Sequence, residues 1–441
     1  TIIMDENFPE FYSIEQLRVF TERGVKIPDL SSVKIAKEIK PQKILPGSII
    51  YPFARIMGLK TQILSGAKIG VFGPTTLQDS WIGENTVVGN LGPVTLNSVV
   101  VGPGSILGSG VAEKSVFLGK ESSINEFSTG YGFRIRNGSL YEEDASSAQH
   151  TDTKMTILFP WATLGSNINF CDALLAGGTG SDMGFFSEVG SGTIHFNFSI
   201  RGDKATASLF GDVTHGVFLD KERLFIGGNN SLIGPIKAEF GAMTSAEARI
   251  KGSISSGLNF GESLSSGKIN YDPKIFFGVL EIVKKQINVI SELVALFNWY
   301  KQIRISCVAQ SDQKKFLYDS GMKIVEKNFQ ERLLQLNLYI DRVENSQKLI
   351  SNSGKITKKE IAEQKSLLEN WSKIQKRLKK LTDFEIPAPL LLKNNIRELQ
   401  AEGTLDYTKI IKKLSREGKE SGEKWLSLIS KNVRKNFFFE K

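Results

Sequence analysis

A six-residue repeat runs through the chain between about Ile44 and Ile254, and it constrains the fold more than any other feature. Each copy has an aliphatic residue, a glycine, two free positions, a small residue and one more free position. Two clear copies are Ile82–Val87 and Val101–Ile106, and the second runs directly into Leu107–Ala112. A period of six matches neither the 3.6-residue turn of a helix nor the alternation of a half-exposed strand. The repeat is typical of a β-solenoid.

Each hexad predicts one short strand and one turn, so three hexads close a triangular coil with the aliphatic residues stacked inside. We expect the glycine to permit turn dihedrals that a Cβ forbids, and the small fifth residue to pack where the walls are close. Coils of about 18 residues allow on the order of ten coils, or fewer if the irregular segment 128–156 is a loop. An ordinary sandwich with scattered Gly-x-x-Ser is the alternative, but the tandem hexads keep phase.

Hexapeptide coils of this kind resemble the left-handed β-helix family, an exception to right-handed crossovers. Outside the repeat, Ser13–Gln16 fits a capping box, and beyond Pro273 apolar residues recur at three- and four-residue steps. The predicted fold is therefore mainly β, a left-handed parallel β-helix with an N-terminal helical cap and a C-terminal α-helical domain. The predicted boundaries are a cap over 1–44, the β-helix over 45–255, a linker over 256–272 and the helical domain over 273–441.

Charge is distributed unevenly along the chain. Residues 261–441 hold 34 Lys and Arg against 22 Asp and Glu, whereas the preceding residues hold 22 against 25. The basic stretch Lys373–Lys380 could follow phosphates or an anionic membrane surface. It is more often the solvated face of a helix whose Ile374, Leu378 and Leu381 lie in the core. We expect neither a nucleic-acid nor a membrane partner.

The cysteines and the apolar stretches predict a cytoplasmic protein. Cys171 and Cys307 are far apart and neither belongs to a Cys-x-x-Cys motif, so free thiols and no zinc site are expected. The first ten residues show no long apolar core of a secretion signal. The most apolar long stretch, Ile275–Tyr300, is interrupted by charged residues and is not predicted to cross a membrane.

Two hexads occupy residues 183–194 in phase, and the segment directly after them is the best candidate for a site. It breaks the hexad rhythm and brings His195, Asn197, Arg201 and Lys204 into one loop. Loops on a rigid scaffold are where binding and catalytic residues accumulate.

Here the chain resembles a known family. Gly-x-Gly-Thr-Ile-x-x-Asn at 190–197, a loop with a lysine, Gly211–Asp212, and then Ile226–Ile236 and Gly241–Ala246 are similar to the acetyltransferase domain of the bacterial bifunctional enzyme that makes UDP-N-acetylglucosamine. The resemblance covers about residues 160–255.

The resemblance implies a transferase that uses acetyl-CoA or another acyl-CoA. Asn197 and Lys204 would contact the phosphate of an amino sugar, and the strand ends near Gly227, Gly234 and Ala246 would line the cleft for the pantetheine arm. In that family the cleft lies between subunits of a homotrimer. A basic loop suits an anionic sugar, and a flat solenoid face suits an extended molecule.

The catalytic histidine of that family is the main departure. Its position falls near Leu174, where this chain has no histidine. Acyl transfer to an amine benefits from a base with a pKa near neutrality, which histidine supplies. Either His195 or His215 takes this role, or the protein does not acetylate. His195 could equally be a hydrogen-bonded wall residue, and His215, like His150, a loop residue.

A second segment, Leu174–Met183, resembles the glycine-rich phosphate-binding loop of sugar nucleotidyltransferases. Asp182 stands where that loop has a cationic arginine, and the segment continues in phase into the hexad that begins at Met183. A glycine-rich coil of the solenoid is therefore the favoured interpretation. The whole chain nevertheless looks like spirochaete proteins that are named UDP-N-acetylglucosamine pyrophosphorylases.

Three hypotheses follow. The first is a hexapeptide-repeat transferase of amino-sugar or UDP-N-acetylglucosamine metabolism that transfers an acyl group from CoA, with His195 or His215 as base and Asn197, Arg201 and Lys204 holding the substrate. The second is a UDP-N-acetylglucosamine pyrophosphorylase-type nucleotidyltransferase, which requires a divalent metal and acidic ligands that the sequence does not show near its glycine-rich loop. The third is a non-catalytic solenoid that binds a sugar nucleotide or serves as a scaffold.

Overall fold

The computed structural model describes residues 9–122, 127–263, 266–268, 271–350, 357–378, 380–381 and 385–435. It shows a left-handed parallel β-helix of about 12 turns over residues 34–259, followed by a helical region over residues 279–435. The predicted fold class is confirmed, although the N-terminal helical cap is modest.

The chain divides into two compact units. Unit 1 comprises Thr1–Met155 and Thr163–Ile168, and unit 2 comprises Thr156–Ala162 and Asn169–Lys441. The helices are α1 (Ile14–Glu22), α2 (Val213–Gly216), α3 (Val279–Trp299), α4 (Asp312–Ile350), α5 (Lys358–Leu378), α6 (Leu390–Ala401), α7 (Tyr407–Lys413) and α8 (Arg416–Lys435), with a 3₁₀ helix at Pro41–Lys43 and a π-helix at Tyr300–Val308.

The strands are short and pair in parallel. They are β1 (Lys34–Ile35), β2 (Ile49–Ile50), β3 (Arg55–Met57), β4 (Gln62–Ile63), β5 (Lys68–Ile69), β6 (Thr75–Gln78), β7 (Trp81–Ile82), β8 (Val87–Val88), β9 (Val94–Asn97), β10 (Val100–Val101), β11 (Ile106–Glu113), β12 (Val116–Phe117), β13 (Thr129–Ile135), β14 (Leu140–Tyr141), β15 (Ser146–Ser147), β16 (Asp152–Leu158), β17 (Thr163–Leu164), β18 (Asn169–Leu175), β19 (Glu188–Val189), β20 (Ile194–Phe196), β21 (Ser208–Phe210), β22 (Phe225–Ile226), β23 (Ser231–Ala238), β24 (Ala242–Thr244), β25 (Arg249–Ile254) and β26 (Gly257–Asn259).

The aliphatic hexad residues of unit 1 form the predicted ladders inside the coils. Ile50 pairs with Ile69, Ile69 with Val88, and Val88 with Leu107, and all four side chains are fully buried. Strands β6 and β9 show the same one-coil register, because Thr75 pairs with Val94 and Leu77 with Leu96. Each ladder removes a column of apolar surface from water, at about 25 cal/mol per Å².

The reason for the hexad glycine differs from the predicted one. Gly83 and Gly102 do not adopt a positive φ; instead a Cβ on Gly83 would lie 2.7 Å from the backbone nitrogen of Pro103 in the next coil. The positive φ falls two residues later, at Asn85 (φ 55°) and Gly104 (φ 68°). The hexad glycine therefore permits close approach of the next coil, and the fourth hexad position makes the turn.

The small fifth residue of the hexad also forms a hydrogen bond. The hydroxyls of Thr86 and Ser105 donate to the carbonyl oxygen of Gly102 at 3.1 and 2.9 Å. In unit 2 the hydroxyl of Thr193 donates to the carbonyl of Gly227 at 3.1 Å. A serine or threonine thus satisfies a buried carbonyl where the walls are too close for a larger side chain.

The segment 128–156 is part of the solenoid and not a loop. It contains β13 to β15 and most of β16. Hydroxyl side chains replace aliphatic residues in its inward ladders, because Thr129 pairs with Leu107, Ser147 with Thr129 and Thr153 with Ile135, and all three hydroxyl residues are buried. The hydrophobic repeat is therefore weak in the sequence even though the strands pair.

The N-terminal segment forms the predicted capping box. The backbone N–H of Gln16 donates to the hydroxyl of Ser13 at 3.3 Å, and the backbone N–H of Ser13 donates to the side chain of Gln16 at 2.9 Å. Leu17 and Phe20 are buried on the apolar side of α1. The first strand, β1, already begins within the segment 1–44 that the sequence assigns to the cap.

Helix α3 is largely buried, with most of its apolar residues from Val279 to Trp299 excluded from water. Pro389 lies at the N-terminal boundary of α6, where its missing N–H costs no helical hydrogen bond.

In the basic stretch Lys373–Lys380, Ile374 and Leu378 are buried on α5, so the cations of the stretch lie on the solvated face. Lys379 lies outside the described residues. In the described parts of the chain, no helix combines the length and the apolar character needed to cross a membrane.

Candidate functional site

His195 lies inside the solenoid wall of unit 2. It is 1% exposed, and its ring packs against the rings of Phe170 and Phe210. Its Nδ1 lies 2.6 Å from the carbonyl oxygen of Cys171 and its Nε2 lies 2.8 Å from the hydroxyl oxygen of Ser208. A carbonyl can only accept, so Nδ1 carries the hydrogen and Nε2 accepts from Ser208.

Burial lowers the pKa of His195, because a charged ring cannot be hydrated there. Both ring nitrogens are occupied by protein groups, and neither faces solvent. The role of His195 as a general base stays a prediction, and this placement does not support it.

Asn197 is held by a buried ion pair. Its side-chain amide donates to the carboxylate of Asp172, and the other carboxylate oxygen of Asp172 accepts from the guanidinium of Arg332 on α4. The side chains of Asp172 and Arg332 are 4% and 2% exposed. The amide donor of Asn197 is therefore used within the protein rather than directed to a surface ligand.

Arg201 is also engaged by the protein. Its guanidinium lies over the rings of Tyr271, Phe276 and Phe277 at 5.6, 5.1 and 5.7 Å, and its Nε donates to the carbonyl of Ile275 at 3.2 Å. These contacts hold the guanidinium on aromatic faces by cation–π attraction. Lys204, the third predicted substrate residue, is half-buried.

The three residues predicted to line a pantetheine cleft differ in exposure. Gly227 is buried, and its N–H donates to the hydroxyl of Thr244 at 2.9 Å. Gly234 is half-buried and lies so close to the wall that a Cβ would be 2.9 Å from Nε2 of His195. Ala246 is exposed. Only Gly234 and Ala246 can therefore contact a molecule at the surface.

His215 has a different environment from His195. It lies in the short helix α2 directly after β21, and its side chain is 41% exposed. Its Nδ1 donates to the two carboxylate oxygens of Asp212 at 2.8 and 3.0 Å, and its backbone N–H donates to Asp212 at 2.9 Å. Asp212 therefore caps α2 and orients the imidazole at once.

The hydrogen bond to Asp212 raises the pKa of His215, and the nearby Glu423 acts in the same direction. Within the part of the chain that the structure describes, no hydrogen-bond partner lies on Nε2. A half-exposed imidazole with an anchored Nδ1 and a free Nε2 is the arrangement of a general base whose tautomer is set by a carboxylate.

A buried carboxylate on a distant helix holds α2 in place. Glu292 of α3 is 5% exposed and accepts the backbone N–H groups of Val213 and Thr214 at 2.9 and 3.3 Å. It also accepts the hydroxyl of Ser430 on α8 at 2.8 Å. Burial, followed by repulsion from Asp212, raises the pKa of Glu292. The N-terminus of α2 therefore carries two carboxylates, one of which orients His215 and one of which anchors the helix backbone.

The glycine-rich segment leaves the solenoid at the same corner as α2. Strands β18 and β21 pair so that Leu175 lies opposite Phe210, and the N–H of Ala176 donates to the carbonyl of Phe210 at 2.9 Å. Two residues after this pair, the first coil has reached Gly177 and the next coil has reached Asp212. The glycine-rich loop and the Asp212–His215 pair are therefore neighbours.

A separate cleft of about 510 Å³ lies among the helices. Its lining comes from the start of α3 and the start of α5, including Glu281, Lys284 and Gln364. Glu360 closes one side by accepting the N–H of Gly278 at 2.6 Å. None of the residues proposed from the sequence lines this cleft.

Asp212 could have been predicted from the sequence as a partner of His215, whereas Glu292 could not. Asp212 is three residues before His215, and an aspartate at this spacing is a known N-cap signal. Glu292 carries no local signal, because it lies far along the chain in a helix whose pattern predicts only a buried face.

The fold and this corner define a class: a left-handed parallel β-helix protein with an oriented, accessible histidine. Searches of protein-family models and of curated proteins find no match to the chain.

Proposed function

We propose that this protein is a hexapeptide-repeat transferase that moves an acyl group from a CoA thioester to the amine of an amino sugar or sugar nucleotide. The parallel β-helix is compatible with such transferases. The observation that carries the proposal is the Asp212–His215 pair, in which Nδ1 is anchored at 2.8 Å and Nε2 is free in the described structure.

In this proposal His215 is the general base. Acyl-CoA, when bound, supplies the activated thioester carbonyl. Nε2 of His215 accepts a proton from the acceptor amine as the carbon–nitrogen bond forms. The carbon–sulfur bond then breaks, and the imidazolium returns the proton to the leaving sulfur. Asp212 stabilises the imidazolium between these two steps.

His195 has no part in this step because it is 1% exposed and both ring nitrogens are bonded within the wall. Lys204, Gly234 and Ala246 remain the candidates for substrate and acyl-CoA contacts from the resemblance. A homotrimer and a cytoplasmic location belong to the proposal as well. The resemblance supports the first, and the lack of a disulfide at Cys171 and Cys307 within the described residues fits the second.

The test is a turnover measurement that compares two histidines. Release of CoA thiol from acetyl-CoA is followed with glucosamine 1-phosphate as acceptor, in the unmodified protein and in His215→Asn and His150→Asn. His150 is exposed; its Nδ1 lies 3.2 Å from the side-chain oxygen of Asn167 and its ring packs against Tyr131, so its replacement is the matched control. We expect His215→Asn to lower kcat by about 10²–10⁴-fold and His150→Asn to leave it unchanged.

Equal activity of the two variants would reject His215 as the base. A thermal-shift titration with acetyl-CoA, CoA, UDP-N-acetylglucosamine and UTP with magnesium tests the substrate class. A ligand at a hundred times its Kd adds about 2.7 kcal/mol of stability. Stabilisation by the uridine compounds alone would replace acyl transfer with sugar-nucleotide binding or nucleotidyl transfer.

A further inference from the structure

The glycine-rich loop Gly177–Phe186 presents backbone donors that the protein does not use. Within the loop, the N–H of Thr179 donates to Phe185 at 2.8 Å and the N–H of Phe185 donates to Asp182 at 3.0 Å. In the described structure the N–H groups of Gly180 and Ser181 have no acceptor. Adjacent free N–H groups in a glycine-rich turn can bind an anion.

A lysine from a distant helix lies against this loop. Nζ of Lys412, on α7, is 3.7 Å from the position that a Cβ on Gly180 would occupy. The same ammonium lies 5.7 Å from the centre of the buried ring of Trp161. Across the described ranges no carboxylate is within ion-pair distance of Lys412. An aromatic face thus positions this positive charge without neutralising it.

Chain topology places the start of this loop next to Asp212, the partner of the proposed base. The loop begins opposite Asp212, because β18 and β21 pair with Leu175 opposite Phe210. The residues first expected to hold an anion are less suited, since Asn197 is bonded to Asp172 and Arg201 is stacked on aromatic rings.

We propose that Lys412 and the N–H groups of Gly180 and Ser181 form a binding site for the phosphate group of the acceptor. The acceptor class is then an amino-sugar phosphate or sugar nucleotide rather than a neutral amino sugar. The naming of this acceptor rests on the proposed function, whereas phosphate binding itself does not. Asp182 is exposed in the same loop and opposes the binding of a dianion.

The experiment measures binding without turnover. Isothermal titration at low salt uses inorganic phosphate, glucosamine 1-phosphate and glucosamine as probes. The variants are Lys412→Ala, Lys413→Ala and Asp182→Asn. Lys413 is the adjacent exposed lysine on α7 and donates to Thr404 at 3.3 Å, so it serves as the matched control.

We expect Lys412→Ala to weaken both phosphate probes by about tenfold or more, the loss of one charge-assisted hydrogen bond. Lys413→Ala should leave the affinities unchanged, Asp182→Asn should raise them, and glucosamine should not bind at this site. The proposal is overturned if Lys412→Ala and Lys413→Ala have the same effect, or if the unmodified protein shows no saturable binding of either phosphate probe.

His215→Asn separates this proposal from the proposed function. It should lower kcat of acyl transfer by about 10²–10⁴-fold and leave phosphate affinity intact. Phosphate binding that depends on Lys412, in a protein without acyl-transfer activity, would contradict only the proposed function. Acyl transfer to glucosamine 1-phosphate that is insensitive to Lys412→Ala would contradict only the phosphate site.

Discussion

The solenoid wall around His195 and the solenoid corner around His215 use the same side chain in opposite ways. In the wall, Nδ1 donates to a backbone carbonyl and burial lowers the pKa of His195. At the corner, Nδ1 donates to a carboxylate, and this bond raises the pKa of His215. The comparison teaches that exposure and the charge of the Nδ1 partner, rather than the presence of a histidine in the repeat, decide which ring can exchange protons.

The largest expected effect is on the free energy of unfolding, when the aspartate of each region is replaced by asparagine. Asp172→Asn removes the closest counter-charge of the buried Arg332 and leaves the carboxylate of Glu331 at 4.0 Å, and we expect it to lower the free energy of unfolding by up to about 3–5 kcal/mol. Asp212→Asn should cost less than about 1 kcal/mol, because asparagine is as good an N-cap as aspartate. Urea denaturation followed by circular dichroism measures both.

Backbone strain does not contribute to the expected cost of Asp172→Asn. Asp172 has a φ of 56°, a conformation that asparagine also tolerates. Adding Arg332→Met to Asp172→Asn should recover much of the loss, since the buried charge that has lost its closest partner is then gone. If Asp172→Asn is no more costly than Asp212→Asn, the ion pair does not stabilise the wall in the way described here.

The next effect is a difference in proton affinity between the two rings. Titration by proton NMR should place the pKa of His215 above its ordinary value and that of His195 below it. Asp212→Asn should move the pKa of His215 back towards the ordinary value and leave His195 unchanged. Glu423 and Lys221 remain near His215 in that variant, with Glu423 raising and Lys221 lowering its pKa. Equal pKa values for the two rings would remove the contrast.

The two shifts predict opposite pH dependences of stability. His215 has a raised pKa, so its contribution is present below the unfolded pKa of about 6.5 and is lost as pH rises through the folded value. His195 has a lowered pKa, so its contribution is present above about 6.5 and is lost as pH falls below that value. Because the His215 side chain is 41% exposed, its contribution is the smaller one. The pH slopes of unfolding free energy in His215→Asn and His195→Asn test these signs.

The smallest expected effect is on the amide exchange rates at the start of α2, which Glu292 holds in place. Glu292→Gln keeps an oxygen acceptor for the N–H groups of Val213 and Thr214 but removes the charge from the hydrogen bonds. We expect the exchange of these two amides to quicken by up to about tenfold, while exchange around His195 is unaffected. Ser430→Ala removes the hydroxyl that bonds to Glu292 and to Ser291 but no hydrogen bond to the backbone of α2, so it should have a weaker effect. Unchanged exchange at Val213 in Glu292→Gln would show that the solenoid alone positions α2.

The repeat made the fold predictable because every hexad has the same pattern of inward and outward residues. The capping box at Ser13 could be recognised directly from the sequence. Segment 128–156 was harder to predict, since hydroxyl residues such as Thr129 and Ser147 take inward positions where other coils have aliphatic residues. At the corner, Asp212 is close enough in sequence to His215 to be noticed. Glu292 and Lys412 are not predictable, because their positions depend on how helices pack against the coils and the six-residue repeat contains no information about that packing.

The one-coil register between β6 and β9 also bears on how such a chain changes over time. Thr75 lies opposite Val94, Leu77 opposite Leu96 and Gln78 opposite Asn97. Excision of residues 75–93 would place Val94 directly after Pro74, where Thr75 stood, with a leucine again at the inward position. A single in-frame deletion or duplication can therefore shorten or lengthen unit 1 by a whole coil, so the number of coils there can drift between related chains while the residues at the His215 corner are inherited unchanged.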